Sequence, residues 1–292
     1  MRWRRRFYGD PALWKRLMKE RVVKELIECA PVIAATRDFV AASGDPARRV
    51  TIVDLCSGKG YLSMFLSEVL PADRVERCVL VDKAWPRCFS EPKPGHINWD
   101  HIYGTHPGGA RSYFESWPIP LTTSKQDLKG GPSTTRGMVK AVFDRSEGPI
   151  AILAVHLCGT LSLRALDLFN TNDRVAFMVL KPCCLPPMIH ANRNETFTVG
   201  DHAFDAADVC SHGRFRGSNW IGPPRHTMQP KFERWARHLE RGARVRGGGR
   251  KGLEESAVQT KGGYQNSFIF AEHDRATRPL WDGIRARGRM PS

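Results

Sequence analysis

The chain is predicted to be an α/β protein built on a mostly parallel sheet whose last strand runs antiparallel. Two observations carry this. Between residues 50 and 271, short apolar runs alternate with segments of helical apolar spacing, and strands separated by helices imply a parallel sheet covered on both faces. The alternation then closes on Ser256 to Gln259 and Tyr264 to Ala271, joined by Lys261-Gly262-Gly263, a hairpin signal that turns the final strand back.

The elements follow in order. Pro11 to Val40 reads as helical, because Leu13, Leu17, Val22, Leu26, Ile27, Ala30, Ile33 and Ala34 recur at three- and four-residue spacing between charges. Pro31 is expected to end one helix and open the next. Ser43-Gly44-Asp45-Pro46 is a turn cluster, so residues 1–47 form an N-terminal helical extension. Strands are expected at Val50 to Leu55, Cys78 to Val81, Pro118 to Ser124, Ile150 to His156 and Val175 to Leu180. Helices are expected at Tyr61 to Leu70, Leu161 to Phe169 and Phe232 to Leu239. Pro86 to Trp117 and Asn192 to Pro230 are too long for plain connections, and long loops on such a sheet usually carry function. Arg241 to Gly252 reads as low-complexity and flexible. Residues 48–273 make the main domain and 274–292 a basic tail.

At 292 residues, with 41% hydrophobic and 26% charged residues, the composition is that of a globular protein. No run approaches the ~20 apolar residues that a membrane-spanning helix needs, so no membrane is expected. The opening Met1-Arg2-Trp3-Arg4-Arg5-Arg6 lacks the apolar core of a secretory signal. Its arginines suit an organelle transit peptide, but the acids at 10, 20, 25 and 28 do not. The eight cysteines at 29, 56, 78, 88, 158, 183, 184 and 210 have neither disulfide-scaffold nor C-x-x-C spacing, which points to a reducing cytoplasmic or nuclear setting. The net charge of +15 is uneven. Residues 1–49 hold 12 Lys/Arg against 6 Asp/Glu, residues 50–213 hold 16 against 17, and residues 214–292 hold 17 against 7. Basic flanks 1–49 and 214–292 suit a polyanion such as RNA, or are simply a solvated surface. Protein partners are not legible.

The most informative stretch is Ile52-Val53-Asp54-Leu55-Cys56-Ser57-Gly58-Lys59-Gly60-Tyr61, a buried strand running through small residues into a helix. Gly58 and Gly60 allow a tight turn and close approach of a ligand to backbone, and the helix start offers N–H groups. The P-loop pattern G-x-x-x-x-G-K-[ST] fails here. A dinucleotide fingerprint is approached by Gly58, Gly60 and Ser63, so glycines alone leave it open. Asp54 discriminates, because a carboxylate on the strand's last turn repels a pyrophosphate and suits an ammonium. Asp82, at the end of Val79-Leu80-Val81, is placed to accept both ribose hydroxyls of a nucleoside. Lys83 follows it, and Trp85 is either an adenine platform or a core residue.

The pattern [VI]-D-x-x-[SA]-G-x-G resembles motif I of class I S-adenosylmethionine-dependent methyltransferases. Val155-His156-Leu157-Cys158-Gly159 and Leu180-Lys181-Pro182-Cys183-Cys184-Leu185-Pro186 extend the likeness. H-L-C-G followed by K-P-C-C-L-P resembles the methyltransferase-like domain of eukaryotes, related to the domain of the tRNA acceptor-stem 2′-O-methyltransferase. It covers about residues 50 to 272. It implies a Rossmann-like seven-stranded sheet, S-adenosyl-L-methionine as cofactor, and RNA, above all tRNA, as substrate. It also implies cofactor contacts from Asp54, Cys56, Ser57, Gly58, Gly60, Asp82, Lys83, Asp127, Leu128 and His156, with Asp127 facing the adenine amino group. The cysteine/histidine zinc modules of the tRNA enzyme and the (D/N)-P-P-(F/Y) motif of amino methyltransferases are missing, which disfavours exocyclic base nitrogens.

On the reaction side the candidates are His156, Cys183 and Cys184. His156 is either a general base for a hydroxyl or a neutral histidine bonded to the cofactor or a loop carbonyl. Cys183 and Cys184 are either nucleophiles, as in pyrimidine-carbon methylation with Cys158 as partner, or tight packing. Imidazole and thiolate also suit zinc, but without ligand spacing no metal is expected. Three rivals remain: a methyltransferase of protein or small molecules, a non-catalytic S-adenosylmethionine-binding scaffold, and a nicotinamide-dependent oxidoreductase that Asp54 argues against.

Overall fold

The computed structural model describes residues 3, 7, 11–18, 21–43, 48–87, 90, 92–104, 116–130, 132–216, 219–256 and 266–274. The chain forms two compact units, Met1–Pro149 and Ile150–Ser292. Three strands of the first and four of the second belong to a seven-stranded sheet, so the expected Rossmann-like α/β fold is present. Among the described residues no helix is long and apolar enough to cross a membrane.

The first unit opens with α1 (Pro11–Leu17) and α2 (Val22–Ala42), the expected helical N-terminus. Strand β1 (Val50–Leu55) is buried at every position, as befits a strand covered on both faces. After it come α3 (Tyr61–Val69), β2 (Val75–Asp82), α4 (Asp100–Tyr103), β3 (Leu121–Lys125) and α5 (Pro132–Met138), which runs into a π-helical turn at Val139–Phe143. Parallel pairing sets Asp54 beside Leu80 and Val81 beside Ser124. The N-terminal residues pack onto α3: the Trp3 and Phe65 rings stack with centroids 5.1 Å apart, and the Tyr61 hydroxyl donates to the Leu17 carbonyl at 2.7 Å.

Two expectations in this unit need correction. Pro31 does not divide the helix; α2 runs unbroken through it. Cys29, Val32, Ala35, Phe39 and Val40 are buried on one face, while Ile27, whose carbonyl loses its partner to the proline, is 45% exposed. Water can satisfy that carbonyl, so burial outweighs the break. The third strand begins at Leu121 rather than Pro118, because Pro118 and Pro120 have no N–H for the ladder. Pro120 still accepts from the Cys78 N–H at 2.9 Å.

The second unit contains β4 (Ile150–Cys158), α6 (Leu161–Thr171), β5 (Val175–Cys184) and α7 (Ile189–Asn192). Two short hairpins come next, β6 (Thr196–Val199) with β7 (His202–Asp205) and β8 (Arg214–Arg216) with β9 (Asn219–Ile221). The unit ends with α8 (Gln229–Gly242), β10 (Gly248–Glu255) and β11 (Ser267–Asp274). β4 and β5 are parallel, while β11 is antiparallel to both β5 and β10. The expected reversal of the last strand therefore holds. Helix α8 buries Phe232, Trp235, Ala236 and Leu239, the i, i+3, i+4, i+7 stripe of an amphipathic helix. Trp235 meets Phe204 of β7 with ring centroids 5.9 Å apart.

The segment 241–252, expected to be flexible, is partly strand. Its glycines caused the misreading and are what the strand requires, since a Cβ at Gly249 would overlap the Glu272 carbonyl oxygen of β11. Lys251 caps α8 by donating to the Arg241 and Ala243 carbonyls at 2.9 and 3.0 Å. Residues 257–259 of the expected first hairpin arm and its joint Lys261-Gly262-Gly263 lie outside the described residues, as do residues 44–46 of the first turn cluster and residues 275–292 of the basic tail.

Candidate active site

In the first unit β1 delivers Asp54 to its carboxyl end and the chain then turns on left-handed residues. Cys56 has φ 53°, Gly58 φ 53° and Gly60 φ 80°. The turn is tied by Ser57 N–H to the Val81 carbonyl at 3.1 Å and Gly60 N–H to the Ser57 carbonyl at 2.8 Å. Gly60 sits at the N-cap of α3, where a Cβ would overlap the Leu80 side chain. At Gly58 a Cβ would meet nothing within 4 Å. One glycine is needed for packing and the other leaves room over the turn.

Asp54 is 3% exposed and accepts a hydrogen bond from the Ser63 hydroxyl at 2.8 Å. Burial, and after it the Asp54 carboxylate, push the neighbouring Cys78 thiol far up and keep it protonated. Asp82 is half-buried at the end of β2. Its two oxygens accept from the Gly58 N–H at 3.1 Å and the Ala84 N–H at 2.8 Å. A carboxylate has about four lone-pair sites, so these two bonds leave capacity for two hydroxyls.

Trp85 resolves toward the core reading. It is fully buried and its indole N–H donates to the Ser57 hydroxyl at 3.1 Å, which braces the turn. Lys83 is exposed. Asp127 is exposed just past β3, where its carboxylate accepts from the Lys129 N–H at 3.0 Å, and Leu128 beside it is buried. The structure thus gathers Asp54, Cys56, Ser57, Gly58, Gly60 and Asp82 into one turn-and-strand-end cluster, with Lys83 following Asp82. Asp127 and Leu128 stand beyond β3.

Sequence reading missed His101. It comes from the long connection Pro86 to Trp117, is 1% exposed on α4, and its Nε2 lies 2.7 Å from the Lys59 carbonyl. A carbonyl only accepts, so Nε2 carries the proton there. His101 fastens the loop at Lys59 as Asp82 does at Gly58. The one signal for it was that this connection is long and rich in aromatics.

In the second unit His156, Cys158, Cys183 and Cys184 lie on the ends of β4 and β5. His156 is half-buried. Cys158 pairs in register with Cys184, and the Gly159 N–H donates to the Cys184 carbonyl at 3.1 Å. Cys158 Sγ is 3.2 Å from Cys183 Sγ, which is 3.7 Å from Cys184 Sγ. Hydrogen bonds with Cys158 and Cys184, followed by burial, push the Cys183 thiol up, and a protonated thiol is a weak nucleophile. Lys181 of the same motif is 2% exposed with Nζ 5.9 Å from the centre of the Phe268 ring.

Some of the described basic side chains beyond residue 213 have local partners. Arg244 pairs with Asp201 and Arg246 with Asp173, and Lys231 donates to the Cys210 carbonyl at 2.7 Å.

No protein-family model matches the chain, and no curated protein matches it. Among solved structures the chain is similar to the CurJ carbon methyltransferase at 12% identity, over 94% of this chain and 61% of that one, with a TM-score of 0.42. It is similar to an O-methyltransferase family protein from Burkholderia thailandensis at 12% identity, over 93% of this chain and 63% of that one, with a TM-score of 0.36. It is also similar to the plantazolicin methyltransferase BpumL, solved in complex with SAH, at 9% identity, over 91% and 92%, with a TM-score of 0.36. The chain spans less than two thirds of the length of the first two. All three are distant likenesses.

Proposed function

We propose that the chain is an S-adenosyl-L-methionine-dependent methyltransferase acting on RNA, with tRNA as the preferred class. The observation that carries the reading is Asp54, a buried carboxylate at the end of β1 beside a glycine turn with open space at Gly58. That donor set fits a cationic amino-acid tail and opposes a diphosphate. Asp54 binds the ammonium, and Asp82 accepts the ribose hydroxyls through its remaining lone pairs. Cys56, Ser57, Gly58 and Gly60 line the approach, with Lys83, Asp127 and Leu128 around the nucleobase. When bound, the cofactor supplies an electrophilic methyl on a sulfonium. The chain's own task is alignment and exclusion of water.

RNA is supported by the basic flanks 1–49 and 214–292 and by the H-L-C-G and K-P-C-C-L-P resemblance. Calorimetry with S-adenosylhomocysteine, followed by tritium transfer into total RNA with and without RNase, tests both halves. Cofactor binding with label that survives RNase moves the substrate to protein or a small molecule. Binding of a nicotinamide dinucleotide in place of the sulfonium compound ends the reading.

A further inference from the structure

We propose that Cys158, Cys183 and Cys184 hold one thiophilic cation of the zinc(II) class, bound by three thiolates with the fourth position left to a water or other external donor. The inference rests on the second unit alone and does not depend on methyl transfer.

The three Sγ atoms all lie within 4.8 Å of one another, at 3.2 Å for Cys158–Cys183 and 3.7 Å for Cys183–Cys184. A zinc–sulfur bond is ~2.3 Å, which places two sulfurs of a tetrahedral site ~3.8 Å apart. One pair already has that spacing, and the second needs to open by about half an ångström. The backbone holding them is in place beforehand. Cys158 is in register with Cys184 on parallel strands, and the Gly159 N–H closes onto the Cys184 carbonyl at 3.1 Å.

The convergence is not what a regular strand delivers. Successive side chains on a strand point to opposite faces, so Cys183 and Cys184 should diverge. Instead their sulfurs are in contact, and β4 shows register shifts at Ala154/Leu157 and Leu157/Cys158. Both strand ends depart from the ladder in the way that brings three sulfurs to one point. Among the described residues no carboxylate belongs to the cluster, so hard cations are disfavoured and soft ones preferred. Cys158 is exposed and the other two half-buried, which provides an entry path. Binding is balanced as M²⁺ plus three R–SH giving [M(SR)₃]⁻ and three protons, with no redox partner required.

The test uses the reduced full-length chain, stripped of metal with a chelator under argon. Zinc is added, excess is removed, and bound metal is counted by plasma mass spectrometry. Cadmium titration in parallel reads the ultraviolet thiolate-to-metal charge-transfer band. One equivalent per chain is expected, together with protection of Cys158, Cys183 and Cys184, and not Cys56, from alkylation as mapped by peptide mass spectrometry. Cys158→Ser should abolish the cadmium band, whereas Cys29→Ala should keep it. The proposal is overturned if the wild-type chain retains no metal, if metal binds but those three thiols stay reactive, or if Cys158→Ser binds as the parent does. Protection in the wild-type chain needs no variant, so a misfolded Cys158→Ser leaves the proposal testable. No readout involves S-adenosylmethionine, so failure here and failure of methyl transfer are told apart.

Discussion

The end of β1 and the ends of β4 and β5 solve different problems. After β1, oxygen and nitrogen do the fixing. Asp54 accepts from the Ser63 hydroxyl, Asp82 accepts from the Gly58 and Ala84 amides, His101 donates to the Lys59 carbonyl, and three residues sit at positive φ. At the ends of β4 and β5 three sulfurs converge on one another. Sulfur makes weak hydrogen bonds, so this second cluster is shaped by its strands rather than by its own contacts. A ligand loop can be preorganised by its own polar side chains, whereas a thiol cluster needs a rigid frame to hold it.

The largest break expected on the first side is Gly60→Val. Left-handed backbone costs an L-residue ~1–2 kcal/mol, and overpacking against Leu80 adds ~1–3 kcal/mol. Thermal unfolding should drop by many degrees and S-adenosylhomocysteine binding should vanish, whereas Gly58→Ala carries only the backbone strain. Equal melting temperatures for the two variants would contradict the packing difference between these glycines. Asp54→Ala should weaken S-adenosylhomocysteine by roughly 100-fold, equivalent to about 2.7 kcal/mol, as read by calorimetry, with Asp54→Asn in between. Asp82→Ala should cost ~1–3 kcal/mol of cofactor affinity, and unchanged affinity would remove its role.

On the second side the expected effects are smaller and depend on pH. His273 of β11 is 8% exposed and stacks on Phe169 with centroids 4.0 Å apart. Its Nε2 donates to the Phe169 carbonyl and its Nδ1 accepts from the Arg246 N–H. Burial lowers its pKa below 6.5, with Arg246 adding to the effect. His202 and His238, bonded ring to ring at 2.8 Å, are lowered too, first by burial. The unfolded chain therefore binds these protons before the folded one. Stability should be full above pH 6.5, decline below it, and level off under the lowered folded-state values. Urea midpoints at pH 8, 6 and 5 check this, and His273→Phe should flatten part of the decline. The smallest effect belongs to Lys251→Met, which removes the cap of α8 and should cost ~0.3–1 kcal/mol by urea titration.

The β1 turn was legible because every part of its signal is local. An apolar strand, an acid, two glycines and a helix start lie within a dozen residues. β6, β7, β8 and β9 were illegible because three or four residues carry too little alternation to register. Strand β10 was hidden by its glycines, whose need appears only once Glu272 of β11 lies against them. Trp85 stood open between platform and core until its burial was seen.

By itself the sequence determined the alternation of strands and helices, the reversal of the last strand and the acid-glycine turn, since periodicity and backbone freedom act over a few residues. Tertiary structure alone decided that His101 reaches Lys59, that α2 runs through Pro31 and that Cys158 meets Cys183 and Cys184 across 25 residues of chain. Those contacts are set by strand register and helix packing, which no local pattern encodes.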